Sequence, residues 1–466
     1  MIVDRDLTRE GAPGAVIGMG SEDALVRAHA AALAQGLPLV AILPGDALGW
    51  ASLAVKGSPA RTAVRQAVLR FGPDPESANA LLGTDDVRPL ADPTDAELEA
   101  AAAEAAQIWT RPAMVFHAPF EIPAHGNSAS RVRPRKMREA FRTTHRVIDL
   151  SGSPKDRAQA FGELRRQVKG GARVAFAYSE NSTQPNVFAS PIAEGMSPGL
   201  EARIFLFLRR AGIPFGQFYR DIYWRFPEKT GGRGRLKGAI YTAAYLADLA
   251  VLRLARAHVF LPSLPMARYV PQLRQVSELP PASDPVDSAQ PEPLRLLYVG
   301  GLGPHYRLHL LVEAMARHRQ ASLTICVPEA NWQAVAVQYE PLPGNVSVRH
   351  ESGEGLEALY DDANAGVIVV QPDEYWEFAV PMKFYEYQAH GKAVVATRGT
   401  YAGELVERAG IGEAISYTAE AIDELVRSWS AGTTVLQFAD VASRARSAHT
   451  WASRAATVAR TLTGKD

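Results

Sequence analysis

The chain has one cysteine in 466 residues, Cys326, and so no intramolecular disulfide. Cys326 falls in the apolar run 323–327, where a buried thiol on a strand is expected, and a reducing compartment fits. Net charge is also absent. Fifty lysines and arginines balance 50 aspartates and glutamates, which removes the general attraction to polyanions, so no nucleic-acid partner is expected. No window reaches the roughly 18 uncharged apolar residues of a membrane span. The nearest, 238–260, is interrupted by Asp248, Arg253 and Arg256. The opening MIVDRDLTREGAPG has early acids and no apolar stretch of secretory-signal length. A cytoplasmic location is expected, with the inner face of the cell membrane as the peripheral alternative. HExxH, EF-hand, P-loop and clustered-cysteine patterns are missing, so neither a protein-held metal nor a cofactor is expected. Repeats at solenoid periods are missing too.

What is present is apolar content, 47% of residues, ample for the two or three domains this length implies. Short runs rich in Val, Ile and Ala alternate with longer Ala, Leu and Arg segments of helical period, the pattern of βαβ units and parallel sheets. Strands are predicted at 113–118, 146–150, 173–178, 294–299, 322–327, 365–370 and 393–397. The stretch LPPASDPVDSAQPEPL, 279–294, loses periodicity and reads as an interdomain linker, and a second break falls at 107–112 after an Ala- and Glu-rich helix, 95–106. The divisions are 1–109, 110–285 and 286–466. Near the start, Gly18 and Gly20 follow a strand, but the third glycine of a phosphate-binding turn is missing, and plain turn chemistry is the reading.

The segment 380–397, VPMKFYEYQAHGKAVVAT, reads as a helix opened by Pro381, closed by Gly391 and followed by a strand. Lys383 and Glu386 share a helix face, as do Glu386 and His390. A carboxylate suits the vicinal hydroxyls of a ribose, while a cation and helix-start amides suit a diphosphate. The same spacing also fits an ordinary surface ion pair. The pattern P-x-K-x-x-E-Y-x-A-x-G-K-x-V-V-A-T resembles the donor-site signature of GT-B glycosyltransferases of family 4. The capsule and exopolysaccharide branch is the nearest in form, because the second Glu that many members carry eight residues earlier is Phe378 here. Glu374 and Glu377 lie beside that position.

The resemblance implies an α/β fold of GT-B type, with two facing Rossmann-like domains and an additional N-terminal α/β extension. Residues 110–285 become the acceptor side and 286–466 the donor side, with terminal helices crossing back. The extension, 1–109, stands as an accessory domain or an oligomerisation element. The segment 294–314, LRLLYVGGLGPHYRLHLLVEA, is similar to the family's strand, glycine turn and basic residue. Gly300 and Gly301 are thereby assigned to phosphate contact and Arg307 to the diphosphate cation, with Lys383 as its companion and Glu386 toward ribose. Gly126, Asn127 and Ser128, in the loop after the first strand of the acceptor side, are assigned by resemblance to the diphosphate and acceptor. Asp221, at a strand end among aromatics, is the candidate for orienting an acceptor hydroxyl, or else a cap. His117 and Glu180 are weaker candidates of the same kind, and Ser263 is read as a helix cap.

The cluster Arg131, Arg133, Arg135, Lys136, Arg138 and Arg142 reads as a solvated face or, with Arg225, Lys229, Arg233, Arg235 and Lys237, as a docking surface for a lipid-linked diphosphate. The expected activity is transfer of a sugar from a nucleotide-diphosphate donor to a glycan or lipid-linked acceptor, with retention, in cell-surface polysaccharide or glycoconjugate synthesis. A nucleotide-sugar epimerase and a non-catalytic donor-binding subunit are the alternatives.

Overall fold

The computed structural model describes residues 14–123, 129–191, 194, 197–226, 235–303 and 306–464. Within them lie three sheets. The first runs in the order β1-β2-β3-β4 and comprises β1 (Val16–Met19), β2 (Leu39–Ile42), β3 (Leu69–Gly72) and β4 (Val87–Pro89). The second comprises β5 (Ala113–His117), β6 (Arg146–Leu150), β7 (Phe176–Glu180), β8 (Phe215–Phe218), β9 (His258–Leu261) and β10 (Val276–Glu278), ordered β10-β9-β8-β7-β5-β6. The third comprises β11 (Arg295–Val299), β12 (Ser322–Cys326), β13 (Val346–Arg349), β14 (Ala365–Ile368), β15 (Ala393–Thr397) and β16 (Gly412–Ile415), ordered β13-β12-β11-β14-β15-β16. Pairing is parallel in all three.

Parallel strands need crossovers, and the sequence starts these helices with side-chain caps. Ser21 accepts from the Ala24 N–H at 3.2 Å, and Thr94 with Glu97 and Ser153 with Asp156 form reciprocal capping boxes. In the second sheet the chain leaves β5 toward one edge and returns to its other side, and in the third it does the same about β11. Such switch points open a crevice beyond the strand C-termini. The ends of β5 and β11 are therefore where a ligand site is to be sought.

Strand β7 sits two to three residues later than predicted. Ser179 and Glu180 look like turn residues in sequence, yet both are buried on the strand, held by His117, Tyr178 and Arg133. The glycine of β1, Gly18, has a packing role: a Cβ there would lie 2.8 Å from the Ala28 Cβ of the helix that follows. The first sheet is covered on both faces, by Leu25, Val64 and Leu82 on one and by Leu98 and Ala105 on the other.

Much of the basic cluster of the helix Ala129–Thr144 is taken up in ion pairs and not left as a solvated face, while Arg131 is exposed. Arg138 is fully buried between Asp85 of the first domain, at 2.7 Å, and Asp149, at 2.8 Å. Arg142 reaches Asp85 and Asp86, each at 2.9 Å, and Arg135 and Lys136 pair with Glu139. From the other side Arg61 reaches Asp156 and Glu121, both at 3.1 Å. The charges that looked free in sequence bolt the first domain to the second. Lys229 and Arg233 lie outside the described residues.

The helix Arg235–Ala255 contains one stretch, Lys237–Ala255, long and apolar enough to cross a membrane by length and composition. In the fold it buries Tyr245, Leu249 and Leu252, and its Asp248 accepts from the Asn186 N–H at 2.8 Å. The linker 279–294 has no regular structure but is not loose. Asn364 donates to the carbonyls of Pro291 and Pro293, Gln290 to that of Gly391, and Lys392 to that of Ala289. The helix Trp451–Thr463 then returns to the second sheet, where Trp451, Ala455 and Val458 pack with Met114, Phe116 and Tyr178.

Candidate functional site

Between the second and third sheets lies a cavity of about 350 Å³, with Arg133, Arg220, Asp221 and Tyr223 from one side and Tyr306, Tyr375 and Met382 from the other. On the third-sheet side the helix Met382–Ala389 begins at this cavity, with Pro381 at its N-cap and Gly391, φ +64°, just beyond its end. Its signature residues divide into two sets. Tyr387 donates to the Leu297 carbonyl at 3.0 Å and accepts from the Val299 N–H at 3.1 Å, locking the helix onto β11. Lys392 holds the linker. These two serve the fold.

Lys383 and Glu386 do not line the cavity itself but sit behind its third-sheet wall, with Lys383 against Tyr306 of the lining. The Lys383 ammonium lies 4.0 Å from the centre of the Tyr298 ring and 4.7 Å from that of Tyr306. The residue is only 9% exposed, and among the described residues no carboxylate lies within ion-pair distance of it. Burial pushes its pKa down to about 7, with Glu386 pulling the other way. A Cβ on Gly300, φ +131°, would lie 3.3 Å from this ammonium, so the glycine turn after β11 and the lysine converge on one point. Gly301 beside it is exposed. Glu386 is pushed upward by burial, against Lys383 and a long hydrogen bond, 3.5 Å, from the Tyr360 hydroxyl. The Tyr360 ring also stacks on His390 at 3.9 Å, and the His390 Nε2 faces Glu357, at 3.6 Å, not Glu386.

Arg307 is placed differently. It is exposed, its carbonyl accepts from the Tyr417 hydroxyl, and the charge acting on Lys383 is that of Glu386 and not of Arg307. Gly126, Asn127 and Ser128 lie outside the described residues.

On the second-sheet side Asp221 lines the cavity. Its Oδ2 accepts from the Tyr375 hydroxyl of the third domain at 2.8 Å, and its Oδ1 from the Ile222 N–H at 2.6 Å. Burial raises its pKa to about 6 against these hydrogen bonds. Glu180 is fully buried behind the cavity, 3.1 Å from the Arg133 Nε and 4.0 Å from the Arg220 guanidinium, and it holds both cations at the wall. Arg133 also lies flat on Phe218, at 3.4 Å. His117 does not line the cavity. It hydrogen-bonds Ser179 at 2.8 Å, and burial with the nearby Arg157 charge takes its pKa to about 3.

Arg133 and Tyr375 were missed as site residues. For Arg133 a signal existed, since 133, 137 and 141 fall on one helix face and Met137 and Phe141 are apolar. Tyr375 carries no local signal.

Phe378, where an acid was looked for, is 2% exposed and packs on Phe226, Tyr269 and Tyr375. It is an interdomain anchor. Glu374 and Glu377 do not replace the acid, because they meet Tyr269 and Arg268 on the outer rim and do not line the cavity. Ser263 caps nothing with its side chain. It donates to the Phe378 carbonyl at 2.6 Å, across the domain boundary.

The segment 293–429 matches the family model described as glycosyl transferases group 1. A search of curated proteins returns no match. Among solved structures, a sucrose-phosphate synthase from Thermosynechococcus elongatus is similar at 15% identity and TM-score 0.52, over 76% of this chain and 98% of its own. WaaG, a glycosyltransferase involved in lipopolysaccharide biosynthesis, is similar at 13% identity and TM-score 0.47, over 76% and 100%. Anabaena Alr3699/HepE, solved in complex with UDP and glucose, is similar at 14% identity and TM-score 0.49, over 76% and 100%. The two facing parallel-sheet domains thus form a GT-B fold, and the second of them contains the segment that matches the glycosyl transferases group 1 model.

Proposed function

We propose that the protein is a retaining glycosyltransferase that moves a sugar from a nucleoside diphosphate to a glycan or lipid-linked acceptor, in cell-surface polysaccharide or glycoconjugate synthesis. The observation that carries this reading is the Lys383 ammonium, buried at the Gly300 turn without an ion-paired carboxylate among the described residues and one turn before Glu386. A buried cation of this kind is costly unless an anion completes it. A diphosphate at the β11 switch point would supply that anion, and Glu386 would take the ribose hydroxyls. Arg307 stands as an outer cation that meets the diphosphate on closure.

Lys383 and the amides opening its helix stabilise charge growing on the leaving diphosphate. The anomeric carbon–phosphate oxygen bond breaks as the bond to the acceptor oxygen forms on the same face. The acceptor proton passes to a phosphate oxygen. Asp221, bonded across the cleft to Tyr375, positions the acceptor hydroxyl when the domains meet. Two steps test this. A thermal-shift series with nucleoside diphosphates and their sugars should raise the melting temperature with ligand concentration, and no shift with any of them counts against the reading. NMR of the product anomer should show retention, and an inverted product rules out same-face attack.

A further inference from the structure

A cavity of about 310 Å³ lies at the seam of the first and second domains, at the opposite end of the second sheet from the cleft. Arg111 precedes β5 and Arg146 opens β6, and both line it, whereas the cleft lies beyond the strand C-termini. The Arg146 N–H donates to the Pro112 carbonyl at 3.1 Å, which sets the two arginines side by side. The first domain supplies an apolar wall, through Leu33, Leu37 and Leu39 and through Ile108 and Trp109 of the helix Asp95–Trp109.

The charges of the lining do not cancel. It holds five arginines, Arg70, Arg88, Arg111, Arg142 and Arg146, against three carboxylates, Asp86, Glu104 and Asp149. Each carboxylate is already taken. Glu104 accepts two bonds from Arg88, each at 2.8 Å, and Asp149 accepts from Arg138 at 2.8 Å. Asp86 meets Arg70 and Arg142 through one oxygen, and its other oxygen is buried. The two histidines add no counter-charge, since His29 faces Glu163 at 3.4 Å and burial lowers the pKa of His145. Arg111 and Arg146 are left over. Arg111 donates to the Arg142 carbonyl at 2.7 Å, Arg146 lies 3.8 Å over the Trp109 ring, and among the described residues neither has a carboxylate within ion-pair distance. The Arg146 Nε has no acceptor among those residues, and burial lowers its pKa with no carboxylate pulling the other way.

Two guanidiniums in a partly buried seam call for two negative charges. One phosphomonoester supplies them, with a charge of about −1.5 to −2 near pH 7 and three acceptor oxygens for forked donors, whereas a carboxylate answers only one. The leucines and Ile108 opposite suit a compact apolar or aromatic body better than a polar one.

We infer that this seam cavity is a binding site for a small phosphomonoester with an apolar or aromatic body, its phosphate on Arg111 and Arg146 and its body on the first domain. Such a ligand touches both domains, so occupancy clamps one to the other. The site stands apart from the cleft and does not depend on the transfer reading.

The test titrates the full chain by calorimetry with phenyl phosphate, glycerol 3-phosphate, inorganic phosphate, benzoate and phenol, and uses limited proteolysis as the second readout. Phenyl phosphate should bind at least tenfold more tightly than any of the other four and should slow release of the N-terminal domain at least threefold. Arg111→Met and Arg146→Met should each weaken it at least tenfold. Leu33→Glu places a charge of the ligand's own sign on the wall, at a position 36% exposed. It should weaken phenyl phosphate at least fivefold, and it carries the test if the arginine variants fail to fold. Because Lys383 also lacks an ion-paired carboxylate, the titration is repeated on Lys383→Met, where phenyl phosphate binding should be unchanged. No binding of phenyl phosphate, equal affinity for any of the other four, or full binding by the seam variants overturns the inference. Binding without protection from proteolysis, or loss of binding in Lys383→Met, overturns it as well.

Discussion

Replacing Lys383 with methionine removes an ammonium that burial holds near pKa 7, down from 10.5. That depression corresponds to about 5 kcal/mol set against the charged form. Contacts with the Tyr298 and Tyr306 rings return part of this, roughly 0.5–2 kcal/mol, and methionine will not fill the space perfectly. A net stabilisation of about 2 kcal/mol at pH 6 is expected, as for removal of other costly active-site charges. The folded-state pKa lies below the unfolded one, so between pH 7 and pH 10.5 the unfolded wild type holds the extra proton. Wild-type stability therefore rises across that window by about 1.4 kcal/mol per pH unit, so the advantage of the variant should vanish near pH 8.5 and be reversed by about pH 9.5. Urea denaturation of both proteins at the two pH values measures this. In the same samples a nucleoside diphosphate at 100 times its Kd should stabilise the wild type by about 2.7 kcal/mol and leave the variant unmoved. A variant less stable at pH 6, or one that keeps the full nucleotide shift, would refute the account of Lys383 as a cation awaiting an anion.

Glu386→Ala should weaken a nucleoside diphosphate by about 1.5–3 kcal/mol, the worth of hydrogen bonds to a charged group, and leave inorganic pyrophosphate unaffected in calorimetry. Phe378→Glu should lower the melting temperature, at a cost of several kcal/mol for a carboxylate among aromatic rings, with no gain in transfer rate. Arg138→Met strips the cation from between Asp85 and Asp149 and should cost about 3–5 kcal/mol, read as earlier proteolytic release of the N-terminal domain. Although burial opposes it, Arg138 holds both of those carboxyls below their ordinary values. Their contribution is thus complete above about pH 4 and fades as pH falls, and the variant should show a shallower acid transition than the wild type.

Much of the fold was legible because its strands are short, apolar and buried. Strands β6 and β15 fall on their predicted bounds, each a short run with Val and Ile or Val and Ala at its centre that turn residues end. β7 was misplaced because its last two residues are polar and become tolerable only once His117 and Arg133 arrive from other elements. The same physics hid half of the site. Lys383 and Glu386 show their shared face through helical spacing alone. The partners of Arg133 and Arg138, which are Glu180, Asp85 and Asp149, come from separate elements. No local pattern separates an arginine bound for a buried carboxylate from one bound for water. Phe378 was legible as a departure, but its packing on Phe226 and Tyr269 could be read only from the assembled domains.

The returning helix Trp451–Thr463 bears on the order in which the chain can fold. One face of the second sheet, with Met114, Phe116 and Tyr178, is covered by residues synthesised after the whole of the third sheet. Until residues 451–463 are made, that face can be covered only in part, by Met137 and Phe141 of the helix Ala129–Thr144. The rest of the cover, Trp451, Ala455 and Val458, comes last. Growth of the chain therefore leaves a long interval in which a chaperone, or the first domain clamped on by Arg138 and Arg61, is what keeps the unfinished sheet from other chains.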